Sequence, residues 1–138
     1  MRKTVESLST WLRRIERWTV LTGAGISADS GIPTYRDQHG KWLRVDPIQH
    51  KEFIESDQKR KRYWARSMVG WPGVEKALPN VHHTALATLE RIGKISTLIT
   101  QNVDRLHQKA GSQRVIDLHG RLDRVVCLSC GQHEARAA

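Results

Sequence analysis

The residues with the clearest potential for chemistry lie in a glycine turn that runs from Gly23 to Ala28. This run fits the pattern G-x-G-x-x-[G/A] of dinucleotide-binding turns, and it follows the apolar stretch WTVLT, which is typical of a buried strand. Glycines let the backbone approach a pyrophosphate, and free N–H groups at a helix start bind the anion. The turn alone is weak evidence, because a strand-to-helix turn also needs glycine for steric reasons.

The segment after the turn departs from an ordinary dehydrogenase. Gly31 and Pro33 interrupt the helix that would normally follow, so residues 24–46 are predicted as a mostly irregular loop. The acid expected about 20 residues beyond the turn to bind a ribose is missing. Its nearest candidate, Asp46, precedes Pro47 and is better explained as the start of a helix.

An arginine in that loop has two explanations. Arg36 stands in the run Tyr-Arg-Asp, where a guanidinium can pair with a phosphate or fix the loop. The alternative is a surface ion pair with Asp37.

Polar side chains follow the predicted strand ISTLIT at residues 95–100. Gln101, Asn102 and Asp104 offer the amide and carboxylate groups that a ribose and a carboxamide require. The simpler alternative is that Asn102 only caps the next helix.

A histidine ends a third predicted strand, residues 114–120. His119 would share the strand-end edge with the other two clusters, and an imidazole can act as a base near neutral pH. A purely structural role is the alternative.

Two cysteines form a C-x2-C pair, Cys127 and Cys130. Without an export signal, this spacing favours metal or redox chemistry over a structural disulfide. A structural zinc takes four ligands, so the pair is half a site, with His133 the nearest further candidate.

Strands and helices alternate along the chain, which predicts an α/β fold with a parallel sheet and a ligand crevice at the strand carboxyl ends. The three polar clusters fall at that edge. Helices are predicted at 4–16, from Asp46 onward, at 57–69 before the break GWPG, at 80–92, and within NVDRLHQKAG. Ala85, Leu89 and Ile92 are the expected inner face of the helix at 80–92.

The composition describes one ordinary globular domain. The chain has 138 residues and a net charge of +9, from 23 basic and 14 acidic residues. That charge suits a polyanion, yet no nucleic-acid-binding motif is present, so nucleic acid is not an expected partner. No apolar run is long enough to span a membrane, and the start MRKTVESLST lacks a secretory signal. A cytoplasmic protein is expected, with a mitochondrial one as the alternative.

These motifs, in this order, resemble the sirtuins, the NAD-dependent protein-lysine deacylases. GAGISADSGIPTYRD, TQNVDRLHQKAG, LHG and CLSC match successive signatures of that family. PIQH and RYWARSMVGWPG look like the branch with mitochondrial and bacterial members. The resemblance implies that residues 1–138 are the amino-terminal half of a catalytic domain. Residues 18–120 would form a partial Rossmann-like NAD-binding unit with a helical insertion, and residues 121–138 would begin a zinc module.

The resemblance also implies roles for individual residues. His119 would be the general base. The cofactor-binding residues would be Gly23, Ala24, Gly25, Ser27, Arg36, Gln101, Asn102 and Asp104. Cys127 and Cys130 would be two of the zinc ligands, the second pair being absent here. The substrate would be an acyl-lysine protein or peptide.

A pair on the basic segment RYWAR suggests an acyl preference. Tyr63 and Arg66 are three residues apart, so a helix places them on one face, where a phenol and a guanidinium can bind a carboxylate. The resemblance points to the branch that removes acidic acyl groups. A solvent-exposed face of an ordinary helix is the alternative.

Other functions remain open from the sequence. An NAD glycohydrolase would share the glycine turn without requiring LHG and CLSC. A catalytically inactive NAD- or ADP-ribose-binding remnant, or a basic nucleic-acid-binding remnant, would keep the pocket without the chemistry.

Overall fold

The computed structural model describes residues 9–10, 12–35, 37, 39–41, 43 and 47–136. Its centre is a three-stranded sheet of β1 (Trp18–Thr22), β2 (Ile95–Thr100) and β3 (Val115–Asp117), in the order β1-β2-β3. Both strand pairs are parallel, which confirms the predicted class of sheet. Parallel pairing places all three carboxyl ends at one edge.

The core lies under β2, the middle strand. Ile95 and Leu98 are fully buried, and helix α3 (Val81–Arg91) packs on this strand. α3 begins where predicted, because the side chain of Asn80 accepts hydrogen bonds from the first-turn N–H groups. The predicted inner face is wrong for Ala85 and Ile92, which are exposed; Leu89 is half-buried, and His83 is the buried residue of this helix.

A short 3-10 helix (Ala24–Ser30) replaces the long crossover helix of an ordinary dinucleotide fold. It ends at Gly31, whose φ of 81° lies in the left-handed region that glycine tolerates. The following helix, α1 (His50–Glu55), begins three residues after Pro47 instead of at it. Gln49 and Glu52 form a capping box there, while Asp46 lies outside the described residues.

Helix α2 (Asp57–Lys76) is longer than predicted. The expected break at GWPG does not occur, and the helix runs through Pro72 for four more residues. Trp71 is its buried residue, so tertiary packing holds a segment that local propensity would end.

The last elements are small. α4 (Leu106–Lys109) follows the β2 turn, and β4 (Arg124–Val126) pairs antiparallel with β5 (His133–Ala135). Cys127 and Cys130 lie in the turn of this hairpin. None of the described helices is both long and apolar enough to cross a bilayer. Of the predicted helix at 4–16, residues 9–10 and 12–16 are described; residues 9–10 and 12–14 are helical, whereas residues 15–16 are not, so the helix ends two residues earlier than predicted.

Candidate functional site

The first two polar clusters meet at the carboxyl edge of the sheet. Thr22 and Thr100, the last residues of β1 and β2, stand opposite each other, and the Gln101 N–H donates to the Thr22 carbonyl at 3.0 Å. A Cβ on Gly23 would lie 3.9 Å from Nε2 of Gln101. The glycine turn and the polar run after β2 are therefore neighbours, as the sequence predicted.

Ser27 is the centre of a buried hydrogen-bond network. Its Oγ donates to Oδ2 of Asp104 at 2.7 Å and accepts from Nδ2 of Asn102 at 3.0 Å. His83 Nε2 lies 3.4 Å from the same oxygen. Since the hydroxyl proton goes to Asp104, His83 must donate, which assigns its proton to Nε2. The buried hydroxyl thus uses its one proton and both acceptor positions.

Asp104 and Asn102 are held by the backbone as well. The second oxygen of Asp104 accepts from the Leu106 N–H at 2.9 Å, and the Asn102 N–H donates to Oγ1 of Thr100 at 3.0 Å. Asn102 is not the cap of the next helix, because Arg105 holds that position. Both side chains are buried and are preorganised by packing.

A second buried chain of hydrogen bonds lies beside the first. Thr22 Oγ1 donates to Thr100 Oγ1 at 2.9 Å, and Nε2 of His107 lies 2.9 Å from Thr22 Oγ1. The threonine proton is already used, so His107 donates from Nε2. Its Nδ1 is buried without a hydrogen-bond partner among the described residues.

The two histidines are kept neutral. Burial first, and nearby His83 second, lower the pKa of His107 from 6.5 to about 4, against the opposing effect of the Asp104 and Asp117 carboxylates. Burial also lowers the pKa of His83, which the Asp104 carboxylate partly offsets. The ring centroids are 4.9 Å apart, so a charge on either ring would be buried beside the other.

Sequence reasoning missed four members of these networks: Thr22, Thr100, His83 and His107. Histidines in helical segments, such as His83 beside His82, carry no distinctive pattern. The available signal was the pair of threonines that end the first two predicted strands, since a polar residue buried at a strand end needs a partner. Of β1 itself only Thr22 is buried, and Thr19 and Leu21 are exposed, so the prediction of a buried strand is wrong for the rest of β1.

His119 lies at the same edge, in the turn after β3. The Leu118 N–H donates to the Thr100 carbonyl at 2.9 Å, which ties this turn to the end of β2. The imidazole is exposed, and no described side chain bonds to it. Nearby, Arg105 pairs with Asp117 and has an unusual φ of 66°.

Comparison with known proteins identifies the family. The family model of the Sir2 family matches residues 23–138. The chain belongs to the Sir2 family.

Curated sirtuins resemble the chain closely. NAD-dependent protein deacetylase 2 of Bradyrhizobium diazoefficiens is 52% identical over 132 residues, which cover 96% of this chain and 48% of that protein. The human mitochondrial NAD-dependent protein lipoamidase sirtuin-4 is 50% identical over 135 residues, covering 96% of this chain and 43% of that protein. The chain spans about half the length of the curated relatives it matches.

Solved Sir2 structures share the fold. A mutant Sir2 homologue in complex with ADP-ribose matches with a TM-score of 0.80 and 41% identity, over 92% of this chain and 52% of that one. The partial Rossmann-like architecture predicted from the sequence is therefore confirmed.

The remaining predicted residues of this sirtuin chain lie apart from the buried networks. Arg36 is outside the described residues. Tyr63 and Arg66 share helix α2, where the tyrosine ring packs edge-on against Phe53 at 5.0 Å and Trp64 at 5.5 Å. In the described part of the chain, no side-chain partner of Arg66 is found, and no bond joins this pair to the strand-end cluster.

The cysteine pair is exposed in the hairpin turn. Hydrogen bonds from the backbone of Cys130 and Ser129 lower the pKa of the Cys127 thiol, which favours the thiolate that metals bind. Within the described ranges, no group of three or more metal-ligating side chains occurs. The Sir2 chain thus presents two sulfur ligands rather than a complete site.

The buried histidines predict an acid-sensitive fold. Because the folded-state pKa of His107 is below its unfolded value, the unfolded chain binds more protons as pH falls from 6.5 towards about 4. Stability should be full above that range and should fall through it, by on the order of 3 kcal/mol. Urea unfolding of the complete protein at several pH values in this range measures the slope of the unfolding free energy against pH.

Two variants test whether His107 causes this pH dependence of stability. His107→Gln keeps a donor for Thr22 but does not titrate, so it should flatten the slope. His50→Gln removes an exposed histidine and should leave the slope unchanged. Equal slopes in wild type and His107→Gln would contradict the buried-imidazole explanation.

Proposed function

We propose that this chain supplies the NAD-binding and base-bearing part of an NAD-dependent protein-lysine deacylase. The observation that carries the proposal is the buried junction of Ser27, Asn102 and Asp104, which fixes the glycine turn beside the end of β2. His119 stands at the same edge. The deacetylase names of the relatives and the ADP-ribose bound to the similar structure support this assignment.

The proposal includes a division of the chain. Residues 1–138 would be the amino-terminal part of a catalytic domain, with NAD-binding strands, loop and helical insertion at 18–120. Residues 121–138 would begin the zinc module. The sheet at one end and the separate β4–β5 hairpin at the other support this division.

The strand-end edge has room and donors for NAD. Nothing lies within 4 Å of the position a Cβ would take on Gly25, so a phosphate can approach the backbone there. We assign Gly23, Ala24, Gly25 and Ser27 to the phosphates and adjoining sugar, and Arg36 to the loop that closes over the ribose. Gln101, Asn102 and Asp104 would orient the nicotinamide and its ribose.

We propose that the sirtuin reaction takes place at these positions. The carbonyl oxygen of an acyl-lysine attacks the anomeric carbon of the ribose while the bond to nicotinamide breaks. His119 accepts a proton from a ribose hydroxyl, and the oxygen of that hydroxyl then forms a bond to the acyl carbon. The lysine amine then leaves, and a water molecule adds to the acyl carbon, so that the acyl group ends as an ester on ADP-ribose. Buried groups such as Asn102 need no reorganisation during these steps, which is how a preorganised site lowers a barrier.

Replacing the proposed base tests the function. In the complete protein, His119→Ala should lower the rate of deacylation by about 10²–10⁴-fold, because a general base contributes that much. ADP-ribose affinity should stay within a few-fold, since His119 makes no bond in the buried network. Nicotinamide release and acyl transfer, followed with one acyl-peptide, give the rate.

The exposed His50 provides the matched control, and His50→Ala should keep full activity. Activity of His119→Ala close to wild type would refute the role of base. Nicotinamide release without acyl transfer would indicate a glycohydrolase, and nucleotide binding without either would indicate an inactive binding protein.

We further propose that Tyr63 and Arg66 select acidic acyl groups. The exposed Arg66 is free of described partners, and the ring of Tyr63 is held at a fixed angle by Phe53 and Trp64. A free guanidinium one helical turn from a braced phenol can bind a carboxylate with paired donors.

The acyl preference is testable by one substitution. Arg66→Met should remove the preference for a glutaryl-peptide over an acetyl-peptide, because a charged hydrogen bond is worth about ten- to more than a hundredfold in specificity. Acetyl activity should hardly change. The ratio of kcat/KM for the two peptides is the measurement. Arg62→Met, an exposed arginine on the same helix, should leave the ratio unaltered. An unaltered ratio in Arg66→Met would show that Tyr63 and Arg66 lie on a solvent-exposed helix face and do not bind the acyl group.

We also propose that Cys127 and Cys130 are two of four ligands of a structural zinc ion. The donor set fits, since the turn favours a thiolate and holds both sulfurs in one hairpin. Bound zinc would stabilise that hairpin.

The ligand count predicts weak metal binding by residues 1–138 alone. Two thiolates are half of a tetrahedral set, so little zinc should remain after dialysis against a chelator. Metal analysis of the dialysed chain and of Cys127→Ser measures the retention. Stoichiometric zinc on the isolated chain would show that other ligands complete the site.

The compartment is proposed from the relatives. The bacterial deacetylases support a cytoplasmic location, and human sirtuin-4 supports a mitochondrial one as the alternative.

A further inference from the structure

An arginine after the cysteine hairpin reaches across to helix α2. Both terminal nitrogens of Arg136 donate to Ser67, one to Oγ and one to the carbonyl oxygen, each at 2.9 Å. The guanidinium carbon also lies 4.7 Å from the ring centroid of Trp71 and 5.9 Å from that of Trp64. Both distances are within the range of cation–π attraction. One side chain therefore makes four contacts with a single helix.

These contacts fall at the weakest part of α2. Gly70, Pro72 and Gly73 are poor helix formers, and Pro72 has no N–H to donate to the carbonyl of Met68. Trp71 directly precedes Pro72, and Ser67 lies one turn before Trp71. The Arg136 contacts thus stabilise the helix in the turns that precede the interrupted hydrogen bond.

The other end of this connection is fixed in the hairpin. The Arg136 N–H donates to the carbonyl of Asp123 at 2.9 Å, and the Asp123 carboxylate pairs with Arg121. β4, the cysteine turn and β5 lie between Asp123 and Arg136. The guanidinium is therefore held on the same hairpin that carries the two cysteines.

Arginine is better suited than lysine to these contacts. Its planar guanidinium can donate two hydrogen bonds in fixed directions while it stacks on an aromatic ring, whereas an ammonium is a point charge. The observed geometry uses both properties.

We propose that Arg136 is a positioning residue for acyl recognition. It holds α2 against the cysteine hairpin, and so sets the place of Arg66, which directly precedes Ser67, and of Tyr63, one turn earlier. This inference rests on the proposed deacylase function and adds a determinant of its specificity. Arg136 itself does not contact the acyl group.

Removing the guanidinium should alter selectivity. In the complete protein, Arg136→Met keeps an apolar stem but loses all four contacts. The ratio of kcat/KM for glutaryl- over acetyl-peptide should fall about 10- to 100-fold, because a small displacement of a binding group has that effect. The fall should appear mainly in the KM of the glutaryl-peptide, with ADP-ribose affinity unchanged. Arg124→Met, an exposed arginine on the same hairpin, is the matched control and should leave the ratio intact.

Two further measurements separate positioning from general structure. In an Arg66→Met background, Arg136→Met should not change the ratio further, since both act on one pocket. Tryptophan emission should change in Arg136→Met and not in Arg124→Met, because the cation leaves two indole rings. If Arg136→Met fails to fold, Ser67→Ala, which removes a single bond, should lower the ratio a few-fold.

The outcomes are distinct. Wild type that transfers neither acyl group would refute the proposed function, while an emission change would still establish the contact between hairpin and helix. An unchanged ratio in Arg136→Met, or equal losses for both peptides, would overturn the positioning role. Independent effects of Arg136→Met and Arg66→Met on the ratio would overturn it as well.

Discussion

The hydrogen bond from Ser27 to Asp104 is the constraint on which the site depends. It joins two groups 77 positions apart in the chain, with the serine fully buried and the aspartate nearly so. The glycine turn can stand beside the end of β2 only if that buried carboxylate has its partners. Three features bring the partners of this hydrogen bond together. They are the parallel register of β1 and β2, the end of the 3-10 helix at Gly31, and the buried side of α3, which carries His83.

A polar network in the core carries a risk that an apolar core does not. Leaving one buried group without a partner costs about 1–3 kcal/mol, so each hydrogen bond must be made or the arrangement fails. Ser27 and Thr22 use their hydroxyl protons, and the neutral histidines complete the two chains. Five buried side-chain atoms of the described residues lack a hydrogen-bond partner, and one of them, Nδ1 of His107, belongs to these two chains. Its burial is compatible with a ring that stays neutral.

The sequence predicted elements whose local pattern agrees with the fold. ISTLIT became β2 within its predicted bounds, Asn80 caps α3, and the polar clusters after β1 and β2 meet. The sequence-based predictions failed where contacts with residues distant in the chain determine the extent or the buried face of a helix. α2 continues through Pro72, where the burial of Trp71 and its contact with Arg136 stabilise the helix. His83 is the buried residue of α3 because its ring contacts Ser27 and lies near the Asp104 carboxylate. No short-range pattern contains those partners.

A double-mutant cycle on Ser27 and Asp104 tests the central junction most directly. ADP-ribose affinity of the complete protein is measured for wild type, Ser27→Ala, Asp104→Asn and the double variant. Residues that share one buried network should show a coupling of about 0.5–3 kcal/mol, so the double variant should lose much less than the sum of the single losses. Additive losses, or affinities equal to wild type, would contradict the view that this hydrogen bond builds the nucleotide site.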